Sequence, residues 1–301
     1  MAHANWLSIR ETGSVWGMRV LLFLSTAFGR WPARMVLKPV ALYYAVFYRT
    51  ARRASKQYLA YSGIRPTFSH VFTHVLHFAE CSLDRLFFLR GNFKPFVIRT
   101  VGSLHIEKLA ATKRGAILLG AHLGSFEAMR AVGEATQANI NVVGYFGNAR
   151  AINRLLDRGS GGKVGTRLLE VTPNSLEFIF KAKDLLEQGE MLGILGDRVM
   201  SNQVTEVTFF GKKAAFPSGP WVLAASLKCP VYLTFGLYFA PNTYELHCEP
   251  FAEVVTLPRG TREAALRSYV QDFATRLEYY ARLAPYNWFN FFPFWSDEDA
   301  G

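Results

Sequence analysis

The sequence predicts an α/β fold: a mainly parallel central sheet flanked by helices, with a helical membrane-associated N-terminal part. Three observations predict it. From about Gly102 onward, short apolar runs alternate with stretches of helical periodicity, the pattern of a mainly parallel sheet. Before that point, residues 13 to 91 read as helical, with little β-branched alternation. Between Glu11 and Glu80 there is no acidic residue, while arginine and lysine alternate with large apolar side chains. That mixture fits helices lying on an anionic membrane surface.

In the N-terminal part, Pro32, Pro39 and the stretch Gly63 to Pro66 are expected to break the helices. The most apolar runs, Val20 to Phe28 and Val40 to Tyr48, are short and flanked by Arg19, Arg30, Lys38 and Arg49. A spanning helix needs about 18 or more apolar residues in a row, so a peripheral or monotopic attachment is expected. Glu11 ahead of the first run argues against a cleavable signal peptide. Beyond residue 100 the expected strands are Ala116–Ala121, Ile140–Phe146, Leu168–Thr172, Met191–Gly196, Val204–Phe210, Val231–Leu237 and Tyr244–Cys248. Helices are expected from Ser125, from Ala149, from Pro173 to Gln188, from Ser218 to Lys228 and from Thr261 to Leu283. The division is therefore residues 1–100, a helical docking region, and 101–301, an α/β catalytic domain.

Composition narrows the partners. The 301 residues carry a formal net charge of +11, much of it in the acid-free N-terminal segment. An anionic membrane is favoured over nucleic acid, since no helix-turn-helix, zinc finger or aromatic sheet signature is present. Cys81, Cys229 and Cys248 are odd in number and far apart, which fits reduced buried thiols and no disulfide framework. His70, His74, His77 and Glu80 share a helical face, but no second cluster completes a ligand set, so no metal and no cofactor are expected. Gly159-Ser-Gly-Gly-Lys-Val-Gly-Thr166 lacks the order of a phosphate loop, and no Gly-x-Ser-x-Gly elbow supplies a nucleophile.

The candidate chemistry centres on Gly115-Ala-Ile-Leu-Leu-Gly-Ala-His-Leu-Gly-Ser-Phe-Glu127. Here a buried strand ends at His122, a glycine turn follows, and Ser125 caps a helix that carries Glu127. The carboxyl end of a strand is where open α/β sheets bind ligands. Spacing alone is weak, because chance supplies roughly half of one His-x4-acid match in such a chain. A second strand end, Gly196-Asp197-Arg198, offers an acid and an arginine for a polar headgroup or phosphate, or simply a structural ion pair. Arg154 and Arg158, with Arg150, repeat at helical steps of four and are candidate phosphate ligands or a solvated face. The aromatic tail Pro285 to Trp295 either docks on the core or anchors at the lipid interface.

With these residues in view, the chain from about 70 to 295 resembles the bacterial lipid A biosynthesis (late) acyltransferases, within the lysophospholipid acyltransferase-like superfamily. The resemblance rests on His122-Leu-Gly-Ser-Phe-Glu127, on Gly196-Asp197-Arg198, and on Phe209-Phe-Gly-x4-Phe-Pro-Ser-Gly219 followed by Leu223-Ala-Ala and Pro230. It implies transfer of a fatty acyl chain from an acyl carrier protein or CoA thioester to a hydroxyl or amine of a lipid or lipid-like acceptor. It also implies a place on the cytoplasmic side of the inner membrane, with His122 and Glu127 as the catalytic pair. Asp197 and an arginine between Arg154 and Arg158 match polar positions of the family. Where those enzymes end in a Trp-x-His-Arg-Arg type segment, this chain has Trp288-Phe-Asn-Phe-Phe. In that it resembles relatives that acylate other lipids or pigment-type precursors. In the expected mechanism His122 is the general base and Glu127 accepts the other ring N–H. The alternatives left open are a non-catalytic lipid-binding protein and an acyl-thioester hydrolase.

Overall fold

Most of the apolar runs become strands of one central sheet in a computed structural model that describes residues 15–135, 138–144, 168–170, 176–199 and 203–295. Four helices come first: α1 (Val15–Ala27), α2 (Arg30–Phe47), α3 (Arg49–Tyr61) and α4 (Phe68–Phe88). Then follow β1 (Val97–Val101), α5 (Ser103–Ala111), β2 (Ala116–Gly120), α6 (Phe126–Ala135), β3 (Ile140–Gly144), β4 (Leu168–Glu170), α7 (Leu176–Glu187) and β5 (Met191–Leu195). The chain continues through β6 (Val204–Phe209), β7 (Lys212–Pro217), α8 (Gly219–Leu227), β8 (Val231–Phe239), β9 (Thr243–Ala252) and α9 (Arg262–Leu283).

Among the described residues the main sheet has the order β1-β9-β8-β2-β5-β3-β4. Every neighbouring pair is parallel except β8 with β9. Central β2 is buried at all five positions, as an uninterrupted Ala-Ile-Leu-Leu-Gly run in a sheet covered on both faces must be. Its side chains enter two packing clusters, Ile117 and Leu119 in one, Ala116 and Leu118 in another.

Three features depart from the sequence expectation. The expected strand Val204–Phe210 leaves the main sheet and pairs antiparallel with β7, through a turn at Phe210 and Gly211, both at positive φ. The sequence Lys212-Lys213-Ala214 has low strand propensity, so β7 is specified by this hairpin and not by its own residues. Strand β1 lies at the sheet edge and is mostly exposed, which removes the apolar alternation that marks a half-buried strand. Pro39 lies inside α2, which runs unbroken from Arg30 to Phe47. One lost backbone hydrogen bond is outweighed there by the packing of Ala33, Leu37, Ala41 and Ala45, all buried.

The N-terminal helices are tied to the sheet by buried ion pairs. Arg30 grips Asp84 of α4 with two bonds of 2.6 and 2.8 Å, and Asp84 also accepts from the Tyr244 hydroxyl of β9 at 2.8 Å. One turn earlier on α4, Glu80 pairs with Arg34 and accepts from the Tyr238 hydroxyl of β8 at 2.7 Å. Each buried carboxylate therefore has both an arginine and a tyrosine, which offsets its loss of hydration.

The histidine face of α4 is used for packing. His74 is fully buried, its Nδ1 within 2.9 Å of the Ser55 hydroxyl and its Nε2 within 2.9 Å of the Trp288 carbonyl oxygen. The carbonyl can only accept, so Nε2 carries a proton. Burial pushes its pKa down to about 3. A base whose folded pKa is depressed costs stability where only the unfolded chain takes up the proton, between pH 6.5 and about 3. Stability should therefore fall as pH drops through that window, by up to about 5 kcal/mol from this residue. Urea unfolding at a series of pH values checks this. His74→Gln should shed about one proton's worth of the acid slope, and an unchanged slope would refute the assignment.

Candidate active site

The site is assembled by strand adjacency. β2 and β5 are parallel neighbours with Gly120 opposite Leu195, and the Gly196 N–H still donates to the Gly120 carbonyl at 2.9 Å. Two residues beyond those partners stand His122 and Asp197. The Asp197 carboxylate is buried and takes three hydrogen bonds: Nδ1–H of His122 at 2.8 Å, the backbone N–H of His122 at 3.0 Å and Nε1–H of Trp288 at 3.0 Å. An ionised carboxylate only accepts, so the His122 proton lies on Nδ1 and Nε2 is left with a lone pair. About a quarter of the His122 side chain (27%) reaches solvent, and among the described residues Nε2 has no hydrogen-bond partner.

Electrostatics favour that neutral ring. Burial, and next the Arg198 charge, push the His122 pKa below its ordinary value, against the pull of Asp197 and Glu127. Burial works to raise the Asp197 carboxyl, but the His122 ring, its hydrogen bond and Arg198 outweigh it and hold Asp197 below the usual carboxylate range. His122 is thus an unprotonated base at neutral pH, with a fixed anion behind it.

The turn after His122 is shaped by backbone contacts. Gly124 adopts φ +70, and its N–H donates to the Asn287 carbonyl at 2.9 Å. The next N–H, of Ser125, donates to the Gly236 carbonyl of β8 at 2.7 Å. The Ser125 hydroxyl then accepts from the Ala128 N–H at 3.1 Å, capping α6 as the sequence predicts. On the opposite side the Phe289 N–H donates to the His122 carbonyl at 2.7 Å. The Asn287 side chain exchanges two bonds with the Tyr238 backbone, at 2.6 and 3.0 Å. The aromatic tail therefore docks on the core: Trp288 and Trp295 are buried, and Trp288 buttresses the acid of the dyad.

The other candidates separate. Glu127 sits in the first turn of α6, where its carboxylate meets Arg85 of α4 at 2.7 Å. The ring N–H that the sequence assigned to Glu127 belongs instead to Asp197. The reason is strand order: Asp197 follows the neighbouring strand, while Glu127 has already turned away into a helix. Arg198 lies against the tail, donating to the Phe289 carbonyl at 3.1 Å with its guanidinium 5.6 Å from the Phe292 ring centre. Arg154 and Arg158 lie outside the described residues, as does the loop Gly159 to Thr166. Sequence reasoning missed Arg85 and the role of Trp288; the density of aromatic and asparagine residues in the tail was the available signal for the second. Among the described residues no group of three or more His, Cys, Asp or Glu is placed to hold a metal ion.

A base with a carboxylate behind it and, among the described residues, no hydroxyl or thiol hydrogen-bonded to its ring suits direct transfer, in which one substrate is deprotonated as it attacks another. A comparison with curated proteins finds no match. A comparison with protein families finds one: the model described as bacterial lipid A biosynthesis acyltransferase matches residues 96–296.

Proposed function

Because this chain belongs to the bacterial lipid A biosynthesis acyltransferase family, and so is an acyltransferase acting on a lipid-like acceptor, we propose that His122 is the general base of the transfer. The donor is a fatty acyl thioester of acyl carrier protein or CoA, and the acceptor presents a hydroxyl or amine. Nε2 of His122 takes the proton as the acceptor atom bonds to the thioester carbonyl carbon. The tetrahedral intermediate then collapses with cleavage of the carbon–sulfur bond, and the imidazolium returns the proton to the leaving sulfur. Asp197 holds the tautomer and stabilises the imidazolium. Glu127, paired to Arg85, adds a second negative charge that favours the protonated ring. Arg198, with Arg154 and Arg158, is assigned to anionic groups of the substrates. We assign residues 1–100 to docking on the cytoplasmic side of the inner membrane and 101–301 to the chemistry. In support, no helix among the described residues is long and apolar enough to cross a bilayer, while the N-terminal segment is basic and apolar.

The observation that carries the reading is the His122–Asp197 pair, at the ends of adjacent strands, with Nε2 unengaged among the described residues. The test is to incubate the protein with radiolabelled acyl carrier thioester and membrane lipid extract, comparing wild type with His122→Ala. Loss of about 10²-fold or more in acyl transfer is expected. Equal rates would make the site inert and leave a lipid-binding protein. Release of free fatty acid without any lipid acceptor would instead identify a thioester hydrolase.

A further inference from the structure

Helix α2 is turned the opposite way from a helix facing water. Its two N-terminal arginines, Arg30 and Arg34, point inward to the buried carboxylates Asp84 and Glu80. Ala33, Leu37, Ala41 and Ala45 follow at steps of four on the buried face. The opposite face carries Trp31, Met35, Leu42, Tyr43, Val46 and Phe47, all exposed, with Trp31 at 68% and Phe47 at 65%. At 1.5 Å per residue this face runs about 27 Å. Apolar patches of that extent are not left in water. Because Arg30 and Arg34 are committed inside and Lys38 alone among the charged residues of α2 is exposed, the interleaving of basic and apolar residues in the sequence resolves largely into two faces.

What covers this face is indicated by what adjoins it. Immediately after α2, helix α3 exposes Arg49, Arg53 and Lys56 at steps of four and three, on one helical face. No acidic residue lies between Glu11 and Glu80 to oppose them. The outer face of α2 carries one charged side chain, the exposed Lys38, whose long stem can lift its ammonium toward the headgroups, and it carries Trp31 and Tyr43, side chains suited to the lipid–water boundary. We propose that the outer face of α2 enters one leaflet of an anionic bilayer and lies in its plane, with Arg49, Arg53 and Lys56 of α3 on the headgroups. This rests on the acceptor being a membrane lipid, and it names the element that brings the enzyme to it. α2 is the inserting element, and its arginines are not the electrostatic ones.

The test uses the full chain and phosphatidylcholine vesicles with and without phosphatidylglycerol, followed by flotation. Leu42→Glu with Val46→Glu should lower the bound fraction at least about 10-fold at every salt concentration, since each side chain loses its burial. Arg49→Gln, Arg53→Gln and Lys56→Gln together should lower binding about 10²-fold, on anionic vesicles only and at low salt. Thermal unfolding and acyl transfer to detergent-dispersed lipid extract should match wild type for both variants. If wild type floats and the Leu42→Glu/Val46→Glu variant floats equally well, this inference fails while the acyltransferase reading stands. If wild type is a dimer by analytical ultracentrifugation and that variant is a monomer, the face belongs to a second copy and the inference is overturned. If wild type binds neither vesicle, the membrane assignment itself fails.

Discussion

Asp197→Asn is expected to leave the protein folded and to cut acyl transfer on the order of 10³- to 10⁴-fold. The side chain keeps its size. Its one remaining oxygen can still accept from the His122 backbone N–H and from Trp288 Nε1–H, which in the wild type share Oδ2. That leaves the amide NH₂ facing His122 Nδ1, which now bonds Oδ1. Two donors cannot face each other, so the ring proton moves to Nε2 and the lone pair turns inward, away from the acceptor. The base is present but presented backwards, and the imidazolium would lose its counter-charge. Measured kcat should fall while KM changes little, because no substrate contact is removed. Glu127→Gln gives the comparison. It removes a charge that acts at a distance while the tautomer stays fixed, so a loss of about 10-fold or less is expected. If Glu127→Gln proves the more damaging of the two, the dyad is His122 with Glu127 and Asp197 is merely structural.

The geometry around His122 was legible in the sequence only in part. His122 and its strand were readable because a five-residue apolar run has few other uses. The cap at Ser125 followed from local hydrogen bonding. The partner of Nδ1 was not readable, since it is set by β2 lying next to β5, an arrangement that joins residues 75 apart in the chain. Trp288 lies 91 residues beyond Asp197, in a segment whose composition fits docking and lipid anchoring equally well. On α2 the sequence showed arginines among apolar residues but not their directions. Those depend on the buried acids Glu80 and Asp84 of α4, which appear in sequence only as the first acidic residues after a long gap. Elements specified by their own residues were visible; those specified by a neighbour were not. The hairpin strand β7 and the exposed edge strand β1 belong to the second kind.

The turn that carries His122 should be the least tolerant point of the active-site backbone. Gly124 has φ +70, and a Cβ built there would lie 1.9 Å from the Gly236 carbonyl oxygen. That same oxygen accepts the Ser125 N–H at 2.7 Å, so it cannot retreat without giving up the bond that seats α6. Gly124→Ala therefore meets two penalties. The left-handed conformation costs about 1–2 kcal/mol for a residue with a Cβ. Displacing β8 or losing the Ser125 bond adds about 1–3 kcal/mol by leaving buried polar groups unpaired. A total near 3 kcal/mol should lower Tm by roughly 5–10 °C. Acyl transfer should drop with it, because any shift of this turn moves His122 against Asp197, and about an ångström of misplacement can cost on the order of 10²-fold. Gly91→Ala separates the two penalties. Gly91 has φ +64, but nothing lies within 4 Å of a Cβ there. It should pay the conformational cost alone, about 1 kcal/mol, with full activity. If the two alanine variants melt together, the approach of β8 to the turn is not what fixes the site. If Gly124→Ala alone falls and loses activity, the His122 turn is held by β8, the same strand that lies beside β2 in the sheet.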